Sequence, residues 1–85
     1  MAEHIIYTTR YCPYCIRAKQ LLDSKGVSYR EIAVDNDYEL RQKMMRDSGQ
    51  RTVPQIWLNG QHVGGCSELY QLEQAGRLNE LLGLS

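Results

Sequence analysis

The chain lacks several features that would place it in a common functional class. None of the apolar runs in its 85 residues is long enough to span a bilayer, so we expect no membrane contact. Its ten basic and ten acidic residues balance, and no net charge favours binding to nucleic acid. With only three cysteines, it does not have the disulfide framework of a small secreted protein.

The chain also shows no linker, internal repeat or low-complexity segment. We therefore predict a single domain over residues 1–85, which at this size can bury a small core without staples. The first residues lack the basic start and apolar core of a signal peptide. A reversible dithiol suits a reducing compartment, so a cytoplasmic monomer is expected.

One motif organises the chain, Tyr11-Cys12-Pro13-Tyr14-Cys15. An alternating run over residues 4–8 predicts a strand before it, and apolar residues at helical spacing predict a helix after it. Pro13 suits the first helical position, which puts Cys12 at the N-cap. Unpaired backbone N–H groups and the positive end of the helix dipole would then favour a thiolate there.

The two cysteines of the motif are predicted to play different parts. Helix N-termini and C-x-x-C settings lower the pKa of a thiol from about 8.5 to roughly 3.5–7.5, and the thiolate is the nucleophile. Arg10 and Arg17 add nearby positive charge. Cys15 lies one turn further into the helix, so we expect it to be less exposed and less acidic. Cys12 is therefore predicted to attack and Cys15 to resolve.

A metal site is the competing interpretation of a C-x-x-C pair. Structural zinc sites need a second pair of ligands at suitable spacing. The other candidates, Cys66, His4 and His62, do not form one. A helix that begins between the cysteines suits redox chemistry better, and no metal is predicted. Zinc binding and an inert structural disulfide stay open as alternatives.

The rest of the sequence predicts the element order β-α-β-α-β-β-α. Strands are predicted near residues 4–8, 27–34, 56–58 and 61–63, and helices near 13–25, 37–47 and 67–75, with a short helical turn after residue 77. Asn59-Gly60 is a strong hairpin signal, and Ser67 is a good N-cap for the last long helix. We predict an α/β fold, with a four-stranded mixed sheet and helices on both faces.

Three segments give the chain a resemblance to the glutaredoxins, and in particular to the small bacterial dithiol type. They are residues 11–15, Thr52-Val53-Pro54 and Gly64-Gly65-Cys66, and the resemblance covers nearly the whole chain. It implies a thioredoxin-like fold and glutathione as co-substrate, with no tightly bound cofactor. It also implies a disulfide reductase whose partners are glutathionylated or disulfide-containing proteins.

The resemblance also assigns roles at matching positions. Cys12 matches the nucleophile and Cys15 the resolving thiol. Pro54 matches the family's cis-proline, which places the Val53 backbone beside the active sulfur. The implied glutathione site comprises Tyr14, Arg41, Thr52, Val53, Pro54, Gly65, Cys66 and Ser67.

Within this implied site, each end of glutathione has its own contact. The loop around Gly65 would receive the γ-glutamyl end, where the following helix offers free N–H groups to a carboxylate. Arg41 lies where the family places a contact to the glycyl carboxylate. Cys66, which follows two glycines, is expected to be exposed enough to oxidise and to contact the ligand through its backbone.

Two positions depart from the family pattern. Thr9 stands where the family often has a basic residue, and Ser67 where it often has aspartate, so an ion pair to the γ-glutamyl amine would become a neutral hydrogen bond. Two other functions remain alternatives at this point. One is a thioredoxin-like reductase that a flavoprotein recharges, and the other is a metal or iron–sulfur binding module.

Overall fold

The computed structural model describes residues 3–84. Met1, Ala2 and Ser85 lie outside it, so the expectation of no signal peptide at the first residues falls outside the described residues. The strands are β1 (Ile5–Thr8), β2 (Arg30–Ala33), β3 (Gln55–Leu58) and β4 (Gln61–Gly64), and the helices are α1 (Pro13–Ser24), α2 (Tyr38–Ser48), α3 (Cys66–Gln74) and α4 (Leu78–Leu82). The predicted order is confirmed, and α4 is the predicted final turn.

The four strands form one mixed sheet in the order β2-β1-β3-β4. β1 pairs parallel with β2 and antiparallel with β3, and β3 pairs antiparallel with β4. β2 is shorter than the predicted strand over 27–34. In the described part of the chain it lies at the edge of the sheet and pairs with β1 alone, from Ile5↔Arg30 to Thr8↔Ala33.

The sheet separates two apolar clusters, because successive residues of a strand face opposite sides. Ile6, fully buried, faces the cluster that α1 and α3 cover, which includes Ala18, Leu22 and Leu69. Tyr7 faces the cluster that α2 covers, where it packs with Val34 and Met44. The predicted arrangement of helices on both faces is therefore confirmed.

The antiparallel pairing of β1 with β3 brings two functional loops together. Tyr7, near the end of β1, lies opposite Gln55, the first residue of β3. The Cys12 loop that follows β1 therefore lies beside the Thr52–Pro54 loop that precedes β3. Within residues 3–84, no helix is long and apolar enough to cross a membrane.

Candidate active site

Cys12 occupies the N-cap of α1, as predicted. Its backbone is extended (φ −114°, ψ 108°), and Pro13 follows at the first helical position. The backbone N–H of Cys15 donates to Cys12 Sγ at 3.2 Å. An N–H of the first helical turn, which has no partner within the helix, therefore donates to the sulfur, and the positive end of the helix dipole faces it.

Cys15 lies in a different environment, although it is only one turn away. It is 1% exposed, whereas Cys12 is 9% exposed. Burial, and next the contact with Cys12, raise the pKa of the Cys15 thiol to about 12, against the smaller opposing effects of the Thr9 backbone and Lys19. The predicted contrast in burial between the two thiols is confirmed, and Cys15 ionises only with difficulty.

The loop before β3 meets the active sulfur through its backbone. The Val53 carbonyl oxygen lies 3.8 Å from Cys12 Sγ, at the distance of a weak hydrogen bond from the thiol. The Val53–Pro54 peptide bond is cis, as the resemblance implies. Pro54 is buried, while Val53 is partly exposed beside the sulfur.

An open groove of about 230 Å³ extends from this loop to the start of α3. All the residues of the implied glutathione site except Arg41 line it: Tyr14, Thr52, Val53, Pro54, Gly65, Cys66 and Ser67. Glu68, which the sequence did not indicate, lines it as well. Arg41 is not in the lining. Its Nη2 donates to the carbonyl oxygen of Arg51 at 3.3 Å, directly before Thr52.

The N-terminus of α3 differs from the sequence prediction. Gly65, not Ser67, is the N-cap, and Ser67 is an exposed residue of the first turn. Glu68 Oε1 accepts the Gly65 N–H at 2.7 Å, so a carboxylate reaching back from the third helical position caps the loop. The spacing of glycine and glutamate could have indicated this cap, but the serine between them is the commoner N-cap residue.

Cys66 is less accessible than the sequence predicts. It is 8% exposed, because as the first residue of α3 it turns toward the core between α1 and α3. Burial raises the pKa of its thiol. The expectation of an exposed Cys66 is wrong, while its position in the groove lining agrees with a backbone contact to a ligand.

The described residues contain no cluster of side chains that could bind a metal ion. Within residues 3–84, no group of three or more His, Cys, Asp or Glu side chains is placed to hold one. The three cysteines are free thiols. The arrangement that the site does provide is a dithiol at a helix N-terminus beside an open groove.

Comparisons with known proteins give a consistent assignment. The family model described as Glutaredoxin matches residues 5–63. A glutaredoxin of Pseudomonas aeruginosa is 59% identical over 96% of this chain and 98% of its own, and glutaredoxin 3 of Escherichia coli is 51% identical over 96% and 99%.

Solved structures agree in fold as well as in sequence. The solution structure of glutaredoxin from Brucella melitensis superposes with a TM-score of 0.86, at 49% identity over 99% of this chain and 91% of that one. A buckwheat glutaredoxin in complex with glutathione gives 0.89, at 30% identity over 96% and 77%. The chain belongs to the glutaredoxin family of thiol-disulfide oxidoreductases, with the thioredoxin-like fold.

Proposed function

We propose that this protein is a glutathione-dependent reductase of glutathionylated proteins and protein disulfides, and that it acts as a cytoplasmic monomer. One observation carries the proposal: the Cys12 sulfur lies at a helix N-terminus beside a groove lined by the Thr52–Pro54 loop and the start of α3. A sulfur that accepts a backbone N–H at a helix start and that adjoins an open groove is placed to attack a disulfide whose other half binds in the groove.

In the mixed-disulfide reaction, the Cys12 thiolate attacks the glutathionyl sulfur of a modified protein. The Cys12–glutathione disulfide forms as the protein–glutathione disulfide breaks, and the protein thiolate leaves and takes a proton from solvent. The thiolate of a second glutathione then attacks the glutathionyl sulfur. Oxidised glutathione leaves, and the Cys12 thiolate is restored.

In the protein-disulfide reaction, the Cys12 thiolate attacks one sulfur of the substrate disulfide; that disulfide breaks, and its other sulfur leaves as a thiolate that takes a proton from solvent. Cys15, one helical turn away, then attacks the Cys12 sulfur, and its proton passes to the substrate sulfur that leaves. The substrate is released as a dithiol, and a Cys12–Cys15 disulfide remains. Two glutathione molecules reduce that disulfide and become oxidised glutathione. Because Cys15 is tethered next to Cys12, its effective concentration is far above that of free glutathione.

The lining of the groove supports glutathione as the ligand. The Val53 backbone, which lies beside Cys12, can pair with the main chain of a bound peptide as an added strand would. The free N–H groups at the start of α3 suit the γ-glutamyl carboxylate. Arg41, bonded to the loop at Arg51, supplies a cation beyond the Thr52 end for the glycyl carboxylate. The buckwheat relative binds glutathione within the same fold.

A coupled assay tests the proposal directly. The protein is given a glutathionylated peptide with glutathione, glutathione reductase and NADPH, and turnover is followed by NADPH consumption. We expect turnover that depends on both the protein and glutathione. Recharging by thioredoxin reductase in place of glutathione would contradict the proposal and favour a thioredoxin-like reductase.

Replacement of Ser67 by aspartate is expected to lower the KM for a glutathionylated substrate. Ser67 is exposed in the groove lining, and a carboxylate there would bind the γ-glutamyl amine through a charge-assisted hydrogen bond, roughly twice as strong as a neutral one. The gain should shrink at high salt, because the ion pair is exposed. The control is Ser28→Asp, an exposed site just before β2, which begins opposite the first residue of β1, whereas Cys12 follows the last. A KM that rises or stays constant for Ser67→Asp would show that the amine lies elsewhere.

A further inference from the structure

Gln55 is a fully buried polar side chain next to the groove. It is the first residue of β3 and follows Pro54 directly. Its Nε2 lies 2.9 Å from Gln50 Oε1, 3.0 Å from the Thr52 carbonyl oxygen and 3.3 Å from Thr52 Oγ1, and its Oε1 lies 2.9 Å from His62 Nε2. A buried amide is costly unless it is hydrogen-bonded, and both polar atoms of this one are used.

The network fixes the orientation of the Gln55 amide. The backbone carbonyl of Thr52 can only accept a hydrogen bond, so the amide nitrogen, and not the oxygen, must face it. The Gln55 oxygen on the other side then accepts the N–H of the His62 ring. The amide therefore links β4 to the loop before β3 and holds the Thr52 carbonyl toward the buried side of that loop.

The direction of the Thr52 carbonyl decides where the next N–H points. The Thr52–Val53 peptide bond is trans, and in a planar trans peptide the C=O and the N–H point in opposite directions. Since the Thr52 carbonyl points inward to Gln55, the Val53 N–H points away from the core, on the side where the groove lies. Among the loop and turn hydrogen bonds of residues 3–84, none joins the Val53 N–H to a backbone carbonyl.

We propose that Gln55 is a positioning residue that aims the Val53 N–H at the main chain of bound glutathione, and that it thereby sets the preference for glutathionyl over simpler thiols. The inference rests on the proposed function and deepens it. A glutathionyl group carries peptide carbonyls that can accept the Val53 N–H, whereas a small alkyl thiol carries none. Gln55 does not touch the reacting sulfur atoms and acts only through the loop.

The test compares two substrates that differ only in the thiol bound to one peptide, glutathione or 2-mercaptoethanol. Single-turnover release of the peptide thiol by the reduced protein gives a rate for each. Gln55→Met keeps the side-chain volume and removes every hydrogen bond of the amide. We expect the ratio of the glutathionyl rate to the mercaptoethanol rate to fall about tenfold, as for the loss of one hydrogen bond. Gln61→Met, on an exposed site of β4, is the control and should keep the wild-type ratio.

The ratio separates the possible outcomes. A general loss of structure lowers both rates and leaves the ratio unchanged, and an unchanged ratio in Gln55→Met overturns the positioning role. A wild-type ratio near one contradicts the proposed function itself.

If Gln55→Met does not fold, Gln50→Ala takes its place. It removes one partner of the amide from an exposed loop position and should lower the ratio by about threefold. An unchanged ratio in Gln50→Ala then overturns the role.

Hydrogen exchange of the Val53 amide provides a measurement without a change at Gln55. Cys15→Ser can be isolated as its mixed disulfide with glutathione and compared by NMR with the same variant in its free, reduced state. We expect exchange at Val53 to slow when glutathione is attached, because the N–H then has an acceptor. Equal exchange rates in the two states would overturn the inference.

Discussion

Replacing Cys12 with serine should abolish reduction of both glutathionylated peptides and protein disulfides, whereas Cys15→Ser should abolish only the second activity. The Cys12 sulfur accepts a hydrogen bond from a backbone N–H of the first helical turn and lies beside Val53, which lines the groove. A hydroxyl in its place is not a nucleophile at neutral pH, so we expect a loss of at least about a thousandfold. In the mixed-disulfide reaction a second glutathione can complete the cycle, so Cys15 is not needed there.

The comparison of the two variants includes its own control. Both replace a buried cysteine by serine, one at the N-cap of α1 and one in its first turn, so a general effect on folding should appear in both. Thermal unfolding followed by circular dichroism checks that each variant is folded at the assay temperature. If Cys15→Ser lost both activities although it was folded, glutathione could not complete the cycle alone and the assigned roles would be wrong.

Iodoacetamide at pH 7 should alkylate Cys12 and leave Cys15 almost unmodified. Alkylation requires the thiolate, and a thiol with a pKa of about 12 is ionised to only about one part in 10⁵ at pH 7. Far below that pKa, the reactivity of Cys15 should rise about tenfold for each pH unit over the range in which the protein stays folded. Cys66, whose pKa is also raised by burial, should react slowly as well.

Peptide mapping by mass spectrometry after timed quenching measures the three thiols separately. The same reaction in denaturant is the control: there the environments are lost, and all three thiols should react at similar rates. Cys12→Ser removes one of the causes of the raised pKa of Cys15 but not its burial, so Cys15 should still react slowly in that variant. Modification of Cys15 before Cys12 in the native protein would reverse the assigned order of attack.

Local sequence determined much of this protein. Proline after the first cysteine and the apolar spacing after it were enough to place Cys12 at the start of α1, because capping depends on neighbouring residues alone. Glycines at the ends of helices, and Asn59-Gly60 between β3 and β4, marked the element boundaries for the same reason. The family motifs added residues that prove to line one groove, although they lie as far apart in the chain as Tyr14 and Ser67.

The tertiary structure alone decided which groups support that groove and which thiols are buried. Cys66 is enclosed because α3 packs against α1, a contact that no local pattern contains. Gln55 begins a strand and would ordinarily be taken for a polar edge residue. Its side chain is instead fully buried, and its amide is satisfied by Gln50 and Thr52 of the preceding loop and by His62 of β4. Local propensity acts over a few residues, whereas burial and hydrogen-bond partners depend on which distant segments the fold brings together, and that information lies in the packed chain as a whole.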